Sequence, residues 1–246
     1  MMTIGKGKVS TILSDGTYAY KTYPASYRTE WIRAEEAIHH ELSSKTDLPV
    51  PECTFIAKTR QLRMALIDGM TLADRIRKET YKEGLLDLVR LQMMTYRYRD
   101  LDLEDAFLVY ETRLKNASLD PGLRTIALDA LNRIGRIRVL CHFDFHFENI
   151  MVDRTGYHII DWVNAMLGNP VMDIARTYVI LRQYAVRMSG PYLKMITKEI
   201  SIDPKEVMKA VPLMAVLRMA EDDTGAFRSV LETLVKETSE SGNPKS

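Results

Sequence analysis

Cysteine is scarce in this chain. Two of its 246 residues, Cys53 and Cys141, are too few for a disulfide scaffold and suit a reducing compartment. Charge of one sign is not in excess either. The formal net charge of +1 marks neither a nucleic-acid binder nor a protein drawn to a membrane surface. No apolar run approaches the roughly 18–20 residues of a membrane span, because Arg218 interrupts the best candidate, Val211 to Ala220. Met1 to Ser10 carries glycines and lysines where a signal peptide has an apolar stretch, so a cytoplasmic location is expected. Internal repeats and low-complexity linkers are also missing. What is present is the make-up of a globular protein, 46% hydrophobic and 27% charged. At roughly 100–200 residues per domain, the length allows one large domain or two small lobes.

The chain changes character at Asp68-Gly69. Before it, β-type runs dominate. Gly16-Thr17 marks a turn into a strand at 17–21, Pro24 ends that strand, and runs at 54–57 and 62–67 are joined by a polar turn. From 26 to 44 the period is helical, with Trp31, Ile38 and Leu42 on one face. Beyond Gly69 helices take over. Thr71 reads as the N-cap of 72–78, and helices follow at 85–94, 106–114 and 121–134, with Pro121 in the first turn of the last. A β interlude at 149–153 and 157–160, closed by Arg154-Thr155-Gly156, has the form of a hairpin. Helices resume at 171–188, 192–200, 204–219 and 223–236, and the polar segment 239–246 is expected to fray. The expected organisation is α+β: a β-rich N-terminal lobe over 1–68 and a larger, mostly helical lobe over 69–246.

The most informative stretch is His142-Phe-Asp-Phe-His-Phe-Glu-Asn149, followed by the hairpin and Ile160-Asp161-Trp162. It sets Asp144, Asn149 and Asp161 around a short β-hairpin. Phosphoryl transfer needs such a set: a carboxylate to orient and deprotonate an attacking hydroxyl, and two oxygen ligands for magnesium beside the phosphates. Asp144 and Asn149 are five positions apart, the spacing of the kinase catalytic loop H-R-D-x-x-x-x-N, and Asp161 stands where the D-F-G aspartate would stand.

With Gly168-Asn-Pro170 and Asp173-Ile-Ala-Arg176 added, the pattern resembles the aminoglycoside phosphotransferase and choline kinase family, small-molecule kinases of protein-kinase-like fold. The match is dense over 140–180 and looser from Gly5 to Leu72. Two positions depart from it: Phe143 stands where glycine is usual, and Phe147 where proline is usual. The resemblance implies a two-lobed fold using ATP, or GTP, with Mg2+. Asp144 would then act on the acceptor hydroxyl, with Asn149 and Asp161 on the metal.

A kinase-like N-terminal lobe should also supply a glycine-containing phosphate cover, a strand lysine, and a helix glutamate pairing with it. Gly5-Lys-Gly7 is expected to precede the first strand, and Lys21 and Glu35 follow in that order. Glu35 lies within the stripe through Trp31, Ile38 and Leu42, and a carboxylate facing inward needs a partner. The hinge is expected at Ala65 to Ile67, contacting the base through main chain, with Met64 packed behind it. Only eight residues, Trp162 to Asn169, separate Asp161 from Pro170, and no A-P-E follows. A small hydroxylated acceptor is favoured over a protein. Residues 191–246 hold nine acidic and eight basic side chains, with Glu221-Asp222-Asp223 the one acidic cluster, so a pocket for polycations is not favoured.

Blander readings stand beside these. Gly5 and Gly7 taken alone mark any tight turn, and Tyr18, Tyr20 and Tyr23 read as strand packing. His142 is expected to hold the loop, and Asp173 to cap its helix and bond loop backbone. His39-His40-Glu41 lacks the H-E-x-x-H spacing. One competing chemistry is a metal-dependent hydrolase using His142, Asp144 and His146. It leaves Asn149, Lys21 and the glycines unexplained. Another is a kinase-like protein that binds a nucleotide or metabolite without turnover.

Overall fold

The computed structural model describes residues 1–7, 9–221 and 224–240. Asp222, Asp223 and the segment 241–246, for which an acidic cluster, a helix start and fraying are expected, lie outside the described residues. In chain order the elements are β1 (Met2–Lys6), β2 (Thr11–Ser14), β3 (Tyr18–Thr22), α1 (Thr29–Lys45), β4 (Cys53–Ile56), β5 (Gln61–Ala65), β6 (Met70–Thr71) and α2 (Leu72–Lys78). Then come α3 (Gly84–Thr95), α4 (Ala106–Asn116), α5 (Pro121–Arg133), β7 (Val139–Cys141), β8 (Ile150–Asp153), β9 (Gly156–Ile159) and β10 (Met166–Gly168). The chain closes with α6 (Pro170–Tyr184), α7 (Val186–Glu199), α8 (Pro204–Met219) and α9 (Arg228–Glu240).

The chain divides into two compact units. One comprises Met1–Gly84 with Phe147–Asn164, the other Leu85–His146 with Ala165–Ser246. The boundary expected after residue 68 falls inside the first unit.

The first unit is built on a five-stranded antiparallel sheet in the order β1-β2-β3-β5-β4. Asp15 turns the chain between β2 and β3: its carboxylate accepts the N–H groups of Thr17 and Tyr18, and Gly16 takes the left-handed φ of +94°. Gly5, expected to precede the first strand, lies within β1, beside a register shift between Thr3 and Gly5. Gly7 does sit in the following turn, its N–H on the Ser10 carbonyl. On α1 the buried residues are Ile32, Glu35, His39 and Leu42, while Trp31 is half exposed. The inward stripe is thus one residue out of register with the expected one. Glu35 belongs to both, because the 3.6-residue period returns to it from either start. A smaller sheet, β6-β8-β9, carries the hairpin, and Thr71 caps α2 by accepting the Asp74 N–H.

The second unit is helical, with β7 and β10 as a short antiparallel pair. Its centre is α8, buried continuously from Ala210 to Met219 and packed by α5, α6 and α9. A helix apolar all round belongs in a core. The break expected near Pro191 occurs earlier, at Ala185 (φ −146°), and Pro191 is carried inside α7. No helix among the described residues is long and apolar enough to cross a membrane.

Candidate active site

In the first unit, three of the expected residues meet. Lys21 sits on β3, between Ile12 of β2 and Leu62 of β5. Its ammonium donates to Glu35 Oε1 at 2.7 Å and to Asp161 Oδ1 at 2.8 Å. Glu35 is 2% exposed and Asp161 39%. Burial works against the charged lysine, but the carboxylates of Asp161 and Glu35 win and hold its pKa above the ordinary lysine range. Removing the lysine would leave the buried Glu35 charge without its ion-pair partner, a loss of about 3–5 kcal/mol.

The hairpin sets the two expected metal ligands at its open end. Asn149 closes the 3-10 turn Phe147–Asn149 before β8, and its carbonyl accepts the Ile160 N–H at 3.0 Å, one residue from Asp161. That turn is tied to α2: Glu148 accepts from the Thr71 hydroxyl at 2.9 Å and from Arg77 at 3.2 Å. Asp161 has φ +61°, a left-handed conformation costing a non-glycine residue about 1–3 kcal/mol. It is followed by Trp162, fully buried, whose indole N–H donates to the Ile159 carbonyl at 2.8 Å. A carboxamide and a carboxylate are the hard oxygen donors that magnesium takes, with waters and phosphates completing its shell.

A cavity of about 730 Å³ lies in the same unit, bounded by β1, the β2–β3 turn, residues 66–69 and Met151 of β8. Its size is that of a small-molecule site. Ile67 lines it; Ala65 ends β5, and the Leu66 N–H is turned to the Thr17 carbonyl. Met64 packs with Cys53 and Phe55 against Tyr23, Ile32 and Leu62. No motif points to Met2, Ile4, Asp15 or Met151 here; β1 and β8 bring Met2, Ile4 and Met151 to the cavity, and the β2–β3 turn brings Asp15. The backbone N–H groups of Tyr18 and Thr17 and the Tyr20 hydroxyl hold the Asp15 carboxyl down to about 2. His39 is a satisfied core residue, its Nδ1 bonded to the Pro51 carbonyl at 2.9 Å.

The second unit holds Asp144, in the loop after β7. The Asp144 N–H donates to His142 Nδ1 at 3.2 Å, which leaves the imidazole proton on Nε2 and makes His142 a loop brace, as expected. His146 Nε2 is 3.7 Å from Asp144 Oδ2. Burial would raise the Asp144 carboxyl, but His146, then Arg176 and His142, hold it well below the usual carboxylate range.

Phe143, standing where the resemblance implies glycine, takes φ +58°. Its N–H donates to Asp173 Oδ1 at 2.6 Å, and its ring packs edge-on to Tyr110 and against Gly168, where a Cβ would come within 3.0 Å. The strained backbone is therefore compensated by a hydrogen bond and by ring burial. Asp173 bonds loop backbone, as expected, but does not cap its helix. Asn169, placed at the N-cap, accepts the Val171 N–H instead. Burial pushes the Asp173 carboxyl up, offset by donors from Gln92, the Phe143 N–H and Tyr96. Gln92 also donates to Thr177 and accepts from Tyr192, while Thr177 donates to the Phe145 carbonyl. This buried network braces the Asp144 loop; no motif pointed to Gln92, Tyr96 or Tyr192. Glu221, expected at a solvated helix end, is ion-paired with the buried Arg176 and Arg218.

Among the described residues, no three His, Cys, Asp or Glu side chains are grouped to hold a metal. The hydrolase reading finds no ligand set in His142, Asp144 and His146.

The model of the phosphotransferase enzyme family matches residues 8–193. No curated protein sequence matches the chain. Among solved structures, aminoglycoside phosphotransferase APH(4)-Ia is similar at a TM-score of 0.69 and 16% identity, covering 99% of this chain and 94% of that one. LicA in complex with AMP aligns at 0.69 and 14%, covering 97% and 90%. A choline/ethanolamine kinase family protein from Mesorhizobium loti aligns at 0.66 and 13%, covering 99% and 88%. At these identities the likeness establishes the fold, an α+β protein-kinase-like architecture.

Proposed function

The chain belongs to the phosphotransferase enzyme family, and on that premise we propose that it transfers the γ-phosphoryl group of ATP, or of GTP, to a hydroxyl of a small molecule. The observation that carries this reading is the Lys21 ammonium, held by the buried Glu35 and by Asp161 on an otherwise β-rich unit. A lysine fixed in this way is a ready partner for nucleotide phosphates. In this reading residues 1–68 form the nucleotide-binding lobe and 69–246 the catalytic and substrate-binding lobe.

Each residue has a part. The main chain of Ala65 to Ile67 contacts the base, with Met64 behind it. Gly5 and Gly7 let backbone approach the phosphates, which Lys21 holds and Glu35 steadies. Asn149 and Asp161 would hold Mg2+, which when bound neutralises charge on the phosphates. Asp144 accepts a hydrogen bond from the acceptor hydroxyl, orients its oxygen toward the γ-phosphorus, and takes its proton as the new O–P bond forms, while the bond from that phosphorus to the bridging oxygen breaks and nucleoside diphosphate leaves. Several of the structures similar to this chain carry AMP-PNP, ADP or AMP, and three of them also carry hygromycin B, which supports a nucleotide donor and a small acceptor. The stretch after Asp161 supports a small acceptor too. Met166–Gly168 is a buried strand paired with β7, and this leaves no extended segment to seat a peptide. The reading calls for no nucleic-acid or membrane partner and fits a cytoplasmic location.

The test is a screen of hydroxylated acceptors with magnesium and ATP or GTP: sugars, amino alcohols, aminoglycosides and other metabolites. Acceptor-dependent release of nucleoside diphosphate, with one phosphoryl group gained by the acceptor, is the expected result. Nucleotide binding with no transfer to any acceptor would favour the binding protein without turnover.

A further inference from the structure

Tyr23 lies outside every phosphoryl-transfer motif. Its hydroxyl nonetheless donates to Glu35 Oε2 at 2.5 Å, while Glu35 Oε1 accepts from Lys21 at 2.7 Å. Both Tyr23 and Glu35 are buried. The tyrosine follows β3, two residues after Lys21, and packs in the apolar cluster of Ile32, Leu62, Cys53 and Met64. Its ring is fixed by stacking on Tyr27, with centroids 4.7 Å and planes 17° apart. Burial, then the charge of Glu35, push its hydroxyl well above the ordinary tyrosine range, so it stays a donor.

We propose that Tyr23 is a positioning residue for the nucleotide site: by occupying Glu35 Oε2, it confines Lys21 to the other oxygen and keeps the ammonium directed at the phosphates. An ammonium has three N–H donors. Two of those on Lys21 go to Glu35 and Asp161, which leaves the third for a phosphate oxygen. Without the hydroxyl, Glu35 Oε2 is a buried acceptor lacking that donor, a costly state. The carboxylate then turns to take the third ammonium hydrogen as well, drawing Lys21 back from the nucleotide.

This inference rests on the phosphotransferase reading. It is tested by calorimetric titration of the whole chain with AMP-PNP and magnesium, comparing the original protein with Tyr23→Phe, Glu35→Gln and the double variant. Tyr23→Phe keeps the ring stacked on Tyr27, and thermal unfolding checks that it folds. The expected result is binding weakened roughly tenfold, the scale of a lost hydrogen bond to a charged group. In the Glu35→Gln background the same change should have no further effect, because the influence of Tyr23 passes through that carboxylate. Unchanged affinity in Tyr23→Phe overturns the proposal, as does an equal loss in both backgrounds, the mark of a merely structural residue. Absence of binding by the original protein would overturn the phosphotransferase reading and this inference with it.

Discussion

Replacing Asp144 by Asn should lower turnover by roughly 10²–10⁴-fold, the usual contribution of a positioned general base. Magnesium-nucleotide binding should meanwhile stay within about twofold, a change below about 0.5 kcal/mol. Asn keeps the shape of the side chain but loses its negative charge and cannot take the acceptor proton. Asp144 also sets an expectation for pH. Burial acts to raise its carboxyl, yet His146, Arg176 and His142 hold it well below the ordinary range. A depressed carboxylate is ionised at every pH above its folded value and is lost as base only when pH falls through that value. Down to about pH 4, where carboxylates ordinarily titrate, Asp144 should therefore add no acidic limb to kcat/KM. A pH–rate profile measured on the original protein and the Asp144→Asn residual activity checks this. A limb near pH 6 that disappears with Asp144 would contradict the assignment, as would nucleotide binding lost together with turnover.

The second large effect is on stability. A Cβ on Gly69 would lie 2.1 Å from the Val152 carbonyl oxygen and 2.8 Å from its carbon, both backbone atoms that cannot step aside alone. Gly69 immediately precedes β6, whose Met70 and Thr71 pair with Val152 and Met151. Gly69→Ala must part these strands. Forced overpacking costs about 1–3 kcal/mol, and for a chain of this size each kcal/mol moves Tm by about 2–4 °C. A fall of roughly 2–12 °C is expected by scanning calorimetry. Gly135→Ala, which meets nothing within 4 Å, is the control. An unchanged Tm in Gly69→Ala would contradict the close approach of β6 and β8.

How far these residues can be read without a structure depends on how local their signals are. Asp144, Asn149 and Asp161 stand within 20 residues around a hairpin, so spacing alone links them, and the hairpin forms within a residue of the expected bounds. The change from β-type to helical periodicity is equally local. Glu35 was legible for a different reason: an acid inside an apolar stripe demands a partner, even though the stripe runs through Ile32 and not Trp31. Gly5 was misplaced because glycine signals a strand bulge as readily as a turn. In sequence Asp173 competes as the cap of α6 with the true cap Asn169, four residues earlier, since both are good capping residues close together. The brace on the Asp144 loop was not legible at all. Gln92 reaches Asp173 across 81 residues and Tyr192 across 100, and no local period encodes such pairs. Tyr23 is hidden for another reason: a tyrosine just past a strand and bonded to a helix carboxylate looks in sequence like any packing aromatic.

The most direct measurement is calorimetric titration with ATP, with and without magnesium, of the original protein and of Asp161→Ala. Asp161 is where the Lys21 ion pair and the end of the hairpin meet, so a phosphotransferase site should depend on it twice, through metal and through lysine. The predicted result is nucleotide binding that strengthens with magnesium and loses that dependence in Asp161→Ala. No binding of ATP or GTP, or binding indifferent to both magnesium and Asp161, would contradict the phosphotransferase site.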